Sequence, residues 1–329
     1  MAVARLRRTP RNNAQLAVEH PTAGLNVRKL EHGPLTWVDL VNPGLAEADY
    51  LRQNYHFHEL ALEDCLTPLQ LPKLDDYGDY LFVVLHFPRS VGEARLTRPV
   101  EVDFFVSGDY VVTVHSGEIR PLTKLFSDCE SSEEVRANVM GHSSGYLLYQ
   151  ILPGLVDHMA PILNDLVRSV DDLEAGIFER GSAEALTRRL SLIRRDILSF
   201  RRIMRPEIMV LELLESGDYP FLKVDPDVYF GDLADAMRQI NAELDDLRSV
   251  VEGLSDAHQS LTSQHTTEVI RVLTVIFTIT LPMSLIATLY GMNLRLPLAD
   301  GRGAFWIVLG IVGLTTASML ALFRLRRWF

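Results

Sequence analysis

The sequence predicts an α+β domain, followed by a long helical stalk and two C-terminal membrane-spanning helices. Three observations carry this reading. Short β-branched and aromatic runs, bounded by turn residues, fill the first part of the chain. After Pro226 no proline occurs until Pro282, and apolar residues keep heptad spacing through much of that interval. Two long runs without a charged residue lie near the C-terminus. The organisation expected is an α+β domain over residues 1–140, a helical and stalk region over 141–268, and a membrane hairpin with a basic tail over 269–329.

In the first region LTWVDL (35–40), YLFVVLHF (80–87), VEVDFFVS (100–107) and YVVTVH (110–115) read as strands. Gly108-Asp109, between the last two, reads as a hairpin turn. AEADYLRQN and ELALEDCL between the strands read as helices. From Ser144 the pattern is helical. One helix is expected to run toward Gly181 and a second from Ala183 to about Leu214. The second is rich in arginine, with Arg188, Arg189, Arg194, Arg195, Arg201 and Arg202. That run reads as a solvated face pairing with acids such as Asp171, Asp172 and Glu174, rather than as a nucleic-acid stripe.

The stalk seam is Leu233, Met237, Ile240, Leu244, Leu247, Val251, Leu254, His258, Leu261 and His265. It runs into the first apolar segment with no breaker. One helix from about Tyr229 to Tyr290 would be roughly 90 Å long at 1.5 Å per residue, which no compact domain needs.

Residues 272–290 and 304–323 carry no charge, and each run is close to the length that crosses a hydrocarbon core. Core helices rarely stay uncharged on every face for so long. Arg271 precedes the first run, and Arg324, Arg326 and Arg327 follow the second. The loop between them carries Arg295 and Arg302, so the positive-inside bias is modest. The large polar region ahead of the first span has no signal peptide and is expected to stay in the cytoplasm, which puts both termini there. Tyr290, Trp306 and Trp328 stand where interfacial aromatics belong.

On a helical wheel Thr274, Phe277, Leu281, Ser284 and Thr288 fall within roughly 40° of Ile270. The other side carries Val272, Val275, Ile279, Met283 and Ile286, and suits lipid or the neighbouring span. A single hydroxyl in a span ordinarily bonds its own backbone. Three aligned hydroxyls ending at Asn293 read as a pore wall: Thr274, Ser284 and Thr288, with apolar collars at Ile270, Leu273, Phe277 and Leu281 that can gate by dewetting. Two spans cannot enclose a pore, so several copies must surround it, with closed ring symmetry.

The formal charge of −11 argues against nucleic acid as a partner. Cys65 and Cys129 have neither metal-ligand spacing nor a disulfide framework and fit a reducing compartment.

Tyr290-Gly291-Met292-Asn293 ends the first of two C-terminal spans, after a long stalk, and the basic tail RLRRWF closes in Trp-Phe. In this placement the motif resembles that of the CorA family of magnesium transporters. The resemblance extends to LALEDCLTPLQLPKLDDYGDYLFVVL (60–85) and YFGDLAD (229–235), and so covers most of the chain. It implies a homopentameric funnel in the cell or inner membrane, in contact with lipid, whose pore is lined by five copies of the first span. It implies a channel rather than an enzyme, carrying Mg²⁺, and also Co²⁺ and Ni²⁺, inward without ATP or an organic cofactor. Tyr290, Gly291, Met292 and Asn293 would form the selectivity filter, with Asn293 side-chain and Gly291 backbone carbonyls accepting hydrogen bonds from waters that Mg²⁺ is slow to shed. Gly291 is also expected to cap the helix, in a conformation that would strain a side chain. Intracellular Mg²⁺ would close the pore by binding Glu63, Asp64 and Asp232 between neighbouring subunits, with Asp157 and Asp165 close by.

Two departures stand out. Pro153 occupies a position where the family pattern can carry a further acid, which bears on the strength of sensing. After the motif, Leu296-Pro297-Leu298-Ala299 lacks the family's acid, and Asp300 is outnumbered by Arg295 and Arg302. A local excess of positive charge slows entry of a divalent cation.

Other readings are a zinc or nickel transporter of the same superfamily, or a non-conducting membrane-anchored sensor or scaffold. Met292 favours the magnesium side, and the first span lacks the Cys, His and carboxylate ligands that hold Zn²⁺. His258 and His265 on the seam read as packing residues. His56-Phe57-His58-Glu59 could ligate a metal only with a further partner, and reads as surface.

Overall fold

The structure, a computed structural model, describes residues 24–67, 69–91, 96–177, 183–292 and 303–325. Asn293, Arg295, Asp300, Arg302, Arg326, Arg327, Trp328 and the loop stretch 296–299 lie outside the described residues. The chain divides into two units, Met1–Gly253 and Leu254–Phe329.

The first unit is built on strands β1 (Val27–His32), β2 (Leu35–Val41), β3 (Lys73–Asp76), β4 (Tyr80–Val91), β5 (Leu96–Ser107) and β6 (Tyr110–His115). They form one sheet in the order β1-β2-β6-β5-β4-β3. Among the described strands only β2 and β6 pair in parallel, from Thr36↔Tyr110 to Val41↔His115. Gly108-Asp109 makes the turn between β5 and β6, which pair antiparallel from Val106↔Val111. The sequence reading missed β1 and β3. β1 buries Leu30 alone, and the residues of β3, KLDD, are all half-buried and mostly charged, as suits an edge. β4 and β5 also run past the predicted ends, through the facing prolines Pro88 and Pro99. β3 leaves β4 at Val84 and β6 leaves β5 at Val102, so both prolines lie where each strand keeps only one neighbour, a place that tolerates a missing N–H.

Helices cover both faces. On one, α1 (Leu45–Tyr55) and α2 (Glu59–Leu66) bury Tyr50, Leu51, Ala61 and Leu62 against Val38, Leu40, Phe82, Val84, Phe105 and Val112. Phe57, in the link between them, stacks on Phe105 with ring centres 4.0 Å apart. On the other lie α3 (Arg120–Ser131), α5 (Ser144–Asp157) and α7 (Ala183–Ser216), with α4 (Glu133–Met140) and α6 (Ala160–Gly176) completing that layer. Trp37 meets Phe126 of α3 edge-on at 4.9 Å.

The single helix expected from Ser144 toward Gly181 is instead two, α5 and α6. His158 and Met159 part them, and Pro161 takes an early position in α6, where its missing N–H is harmless.

A 3-10 turn at Pro220–Leu222 leads into α8 (Pro226–Tyr290), a single helix of 65 residues that passes Pro282 without ending. Within the first unit α8 runs beside α7. Arg201, itself buried, pairs with Asp245, Arg194 lies 3.8 Å from Glu252, and Arg238 lies 3.2 Å from Glu212. Leu233, Met237, Leu244, Leu247 and Val251 are buried here, so the first half of the heptad seam packs within one chain.

The second unit holds the rest of α8 and α9 (Ala304–Leu325). Both helices are long and apolar enough to cross a membrane.

Candidate functional site

The predicted pore stripe lies on the uncovered side of the first span. Ile270 is 57% exposed, Phe277 63% and Leu281 65%, and Leu273, Ser284 and Thr288 are exposed as well, while Thr274 is half-covered. Coverage falls on Val275, Thr278, Ile279, Pro282, Met283, Ile286 and Tyr290, at helical spacing. α9 has a matching half-covered stripe at Val308, Val312, Thr315, Thr316, Met319 and Phe323.

The threonine hydroxyls on this span turn inward. Thr274 Oγ1 donates to the Ile270 carbonyl at 2.8 Å, and Thr288 Oγ1 donates to that of Ser284 at 2.7 Å. This is the ordinary intrahelical bond of threonine in a span. It also fixes polarity. A hydroxyl whose proton is held by the backbone offers only lone pairs outward, and lone pairs suit the water hydrogens around a cation.

α8 closes with Gly291 N–H on Ala287 O at 2.9 Å and Met292 N–H on Leu289 O at 3.4 Å. Gly291 is not among the residues with positive φ, so the strained-cap expectation fails there. The case for glycine is contact: a Cβ would lie 3.3 Å from the Ala287 carbonyl. Tyr290 is half-buried and Met292 is exposed.

The predicted regulatory acids do not gather as a metal site among the described residues of one chain. Glu63 is exposed near the end of α2, and Asp232 is exposed near the start of α8. Asp64 is bound to Lys73 Nζ at 2.6 Å, and the same ammonium reaches Asp75 at 2.8 Å. Burial works against the Lys73 charge, but bonds to the two carboxylates hold its pKa above the ordinary value. Among the described residues no three His, Cys, Asp or Glu side chains gather as a metal site. In the His56–Glu59 stretch, His58 Nδ1 instead caps α2 by accepting from Leu60 N–H at 3.2 Å.

The sequence reading missed a set of acids inside the first unit. Glu101 and Asp103, two apart on β5, share a face of the sheet. Glu101 Oε2 accepts from Gln70 N–H and lies 3.3 Å from His86 Nε2. Asp103 is 2% exposed and accepts a hydrogen bond from the Cys65 thiol. Burial above all, then the charge of Glu101, pushes the Asp103 carboxyl up to about 8. Glu207 of α7 is fully buried and takes the His86 N–H at 2.8 Å, on the stretch of β4 that β3 leaves open. Burial raises its pKa well above the carboxylate range. A signal for Asp103 was present, because an acid in VEVDFFVS alternates with apolar residues onto the side that packs. Glu207 had no such signal, since its partner is 121 residues away.

Comparison with known proteins agrees with the architecture. The Cobalt/magnesium transport protein CorA of Thermotoga maritima is 28% identical over 300 residues, covering 89% of this chain and 83% of that protein. The Zinc transport protein ZntB of Yersinia pseudotuberculosis is 21% identical over 258 residues, covering 78% and 76%. The solved CorA magnesium transporter from Methanocaldococcus jannaschii superposes with a TM-score of 0.75 at 22% identity, over 91% of this chain and 93% of that one, and so shares its fold. The family described as CorA-like Mg2+ transporter protein matches residues 33–327. With the α+β domain, the single long helix and the terminal pair of apolar helices, this places the chain in the CorA-like Mg²⁺ transporter family, whose members are ion transporters rather than enzymes.

Proposed function

We propose that this chain carries Mg²⁺, with Co²⁺ and Ni²⁺ as further cargo, into the cell as a homopentamer in the cell (inner) membrane. Both termini are cytoplasmic in this reading. The observation that carries it is the unbroken run of α8 up to Tyr290, directly before Gly291-Met292, with Ser284 and Thr288 of its hydroxyl stripe left uncovered in the single chain.

Five copies of the stripe surround the path. A hydrated ion meets the Asn293 side chains and Gly291 carbonyls at the mouth. It then passes Thr288, Ser284 and Thr274, whose oxygens accept from its waters. The collars at Ile270, Leu273, Phe277 and Leu281 form the gate. Glu63, Asp64 and Asp232 supply hard oxygen ligands suited to intracellular Mg²⁺, and in this reading neighbouring subunits bring them together, since no three such side chains gather among the described residues of one chain. At that site Mg²⁺ competes with the Lys73 ammonium for Asp64.

The similarity to a zinc transport protein supports Zn²⁺ as the second reading. The charge-free first span, without Cys, His or carboxylate, favours Mg²⁺. Proteoliposomes loaded with a Mg²⁺-sensitive dye decide between them. Flux of Mg²⁺, Co²⁺ and Ni²⁺ is expected, and Asn293→Ala is expected to cut it about tenfold or more, a barrier change of roughly 1.4 kcal/mol. No flux of these ions, with Asn293→Ala matching wild type, would sink the channel reading. Flux of Zn²⁺ alone would select the alternative.

A further inference from the structure

A cavity of about 390 Å³ opens in the first unit between the α2 end and strands β5 and β6. Its polar lining includes Cys65, Glu101, Asp103, His115, Ser116 and Glu118. Most of these groups are already engaged. Glu101 is held by Gln70 N–H and His86, and Glu118 pairs with Arg89. His115 Nδ1 accepts from Gly117 N–H at 2.9 Å, which leaves Nε2–H to donate to Asp39 at 2.9 Å. Two atoms differ. Asp103 Oδ1 and Ser116 Oγ are buried and have no hydrogen-bond partner. A polar oxygen enclosed in this way calls for a hydrogen-bond partner.

The rest of the lining includes Pro43, Leu66, Pro99 and Val114, which favour an apolar body. The acids exclude an anion. A divalent metal fits poorly, because Mg²⁺ takes about six oxygen ligands and no three metal-binding side chains gather among the described residues. We propose that this cavity binds a small organic cation, a primary ammonium head on a short apolar body, with Asp103 releasing its proton to solvent as the head binds and donates to Asp103 Oδ1 and Ser116 Oγ. The site is separate from ion conduction, so its test involves no flux.

Cys65 lines the same cavity and reports on it, while Cys129 is fully buried and serves as an internal control. The full-length protein in detergent is treated with 2-aminoethyl methanethiosulfonate, a cation, or its 2-sulfonatoethyl analogue, an anion. In each case the thiolate attacks the reagent's divalent sulfur, a disulfide forms and methanesulfinate leaves. Mass spectrometry follows labelling of Cys65. The cation is expected to react about tenfold faster than the anion, relative to the same ratio on glutathione. n-Butylammonium chloride at millimolar level should slow that labelling, and NaCl at the same ionic strength should not. Asp103→Asn should bring the ratio down to that of glutathione. A wild-type ratio equal to glutathione's, or protection by NaCl as strong as that by n-butylammonium, would overturn the proposal. Because both of those readouts use the wild-type chain, the result stands even if the variant folds poorly.

Discussion

Two buried aspartates of one sheet are held in opposite states, and the difference lies in their partners. Asp39 is fully buried, which alone would raise its pKa, yet bonds from His115, Thr113 and Arg28 keep it below the ordinary 3.8. Asp103 has the Cys65 thiol and little else, and rises to about 8. The sign of the pH effect follows. Between the unfolded value near 3.8 and the folded value of about 8, the folded state holds the extra proton, so raising pH through that window lowers stability. One such group contributes a slope of up to about 1.4 kcal/mol per pH unit. Asp103→Asn is therefore expected to flatten the fall in thermal unfolding midpoint between about pH 5 and pH 8. Parallel profiles for wild type and variant would remove this acid from the account. The inward position of Asp103 was legible in the alternation of VEVDFFVS. The state of Asp39 was not, because the Thr113 and His115 that set it lie 74 and 76 residues away.

At the scale of elements, the strands with a β-branched or aromatic face were readable and the edge strands were not. β3 offers no buried residue to give it away, and β1 offers one. The break between α5 and α6 had a local marker in Pro161, but Pro153 lies inside α5 without ending it, so proline alone does not decide. Tertiary contact shows more plainly at Gly145 of α5. A Cβ there would meet the Leu222 carbonyl at 2.7 Å and Leu222 Cβ at 2.9 Å, in the 3-10 turn ahead of α8. Helix propensity favours alanine over glycine by about 1 kcal/mol. Overpacking costs about 1–3 kcal/mol, and backbone cannot swing aside as a side-chain tip can. Gly145→Ala is expected to lower the unfolding midpoint of the full-length protein, while the open position Gly253, which has nothing within 4 Å, should gain from the same change. An unchanged or raised midpoint for Gly145→Ala would mean that α5 and the turn are free to part.

At the scale of the whole molecule, the terminal pair of spans, the unbroken helix and the family were legible because each is written in consecutive residues. The proposed regulatory site was legible only as a motif, for its acids do not gather among the described residues of one chain. Neutralising Asp64 and Asp232 together, as Asp64→Asn with Asp232→Asn, is expected to raise Mg²⁺ flux severalfold at high internal Mg²⁺ and to leave it unchanged when internal Mg²⁺ is low. Inhibition identical to wild type would reject these acids as the sensor. Pro282 carries a mechanical consequence for the first span. Proline has no N–H to give, so the carbonyl of Thr278, one turn earlier, loses its usual donor. In hydrocarbon no water replaces it, and bending stiffness drops there. Flexure of the span therefore concentrates between Thr278 and Pro282, whereas the part of α8 beside α7, clamped by Arg201, Arg194 and Arg238, resists it.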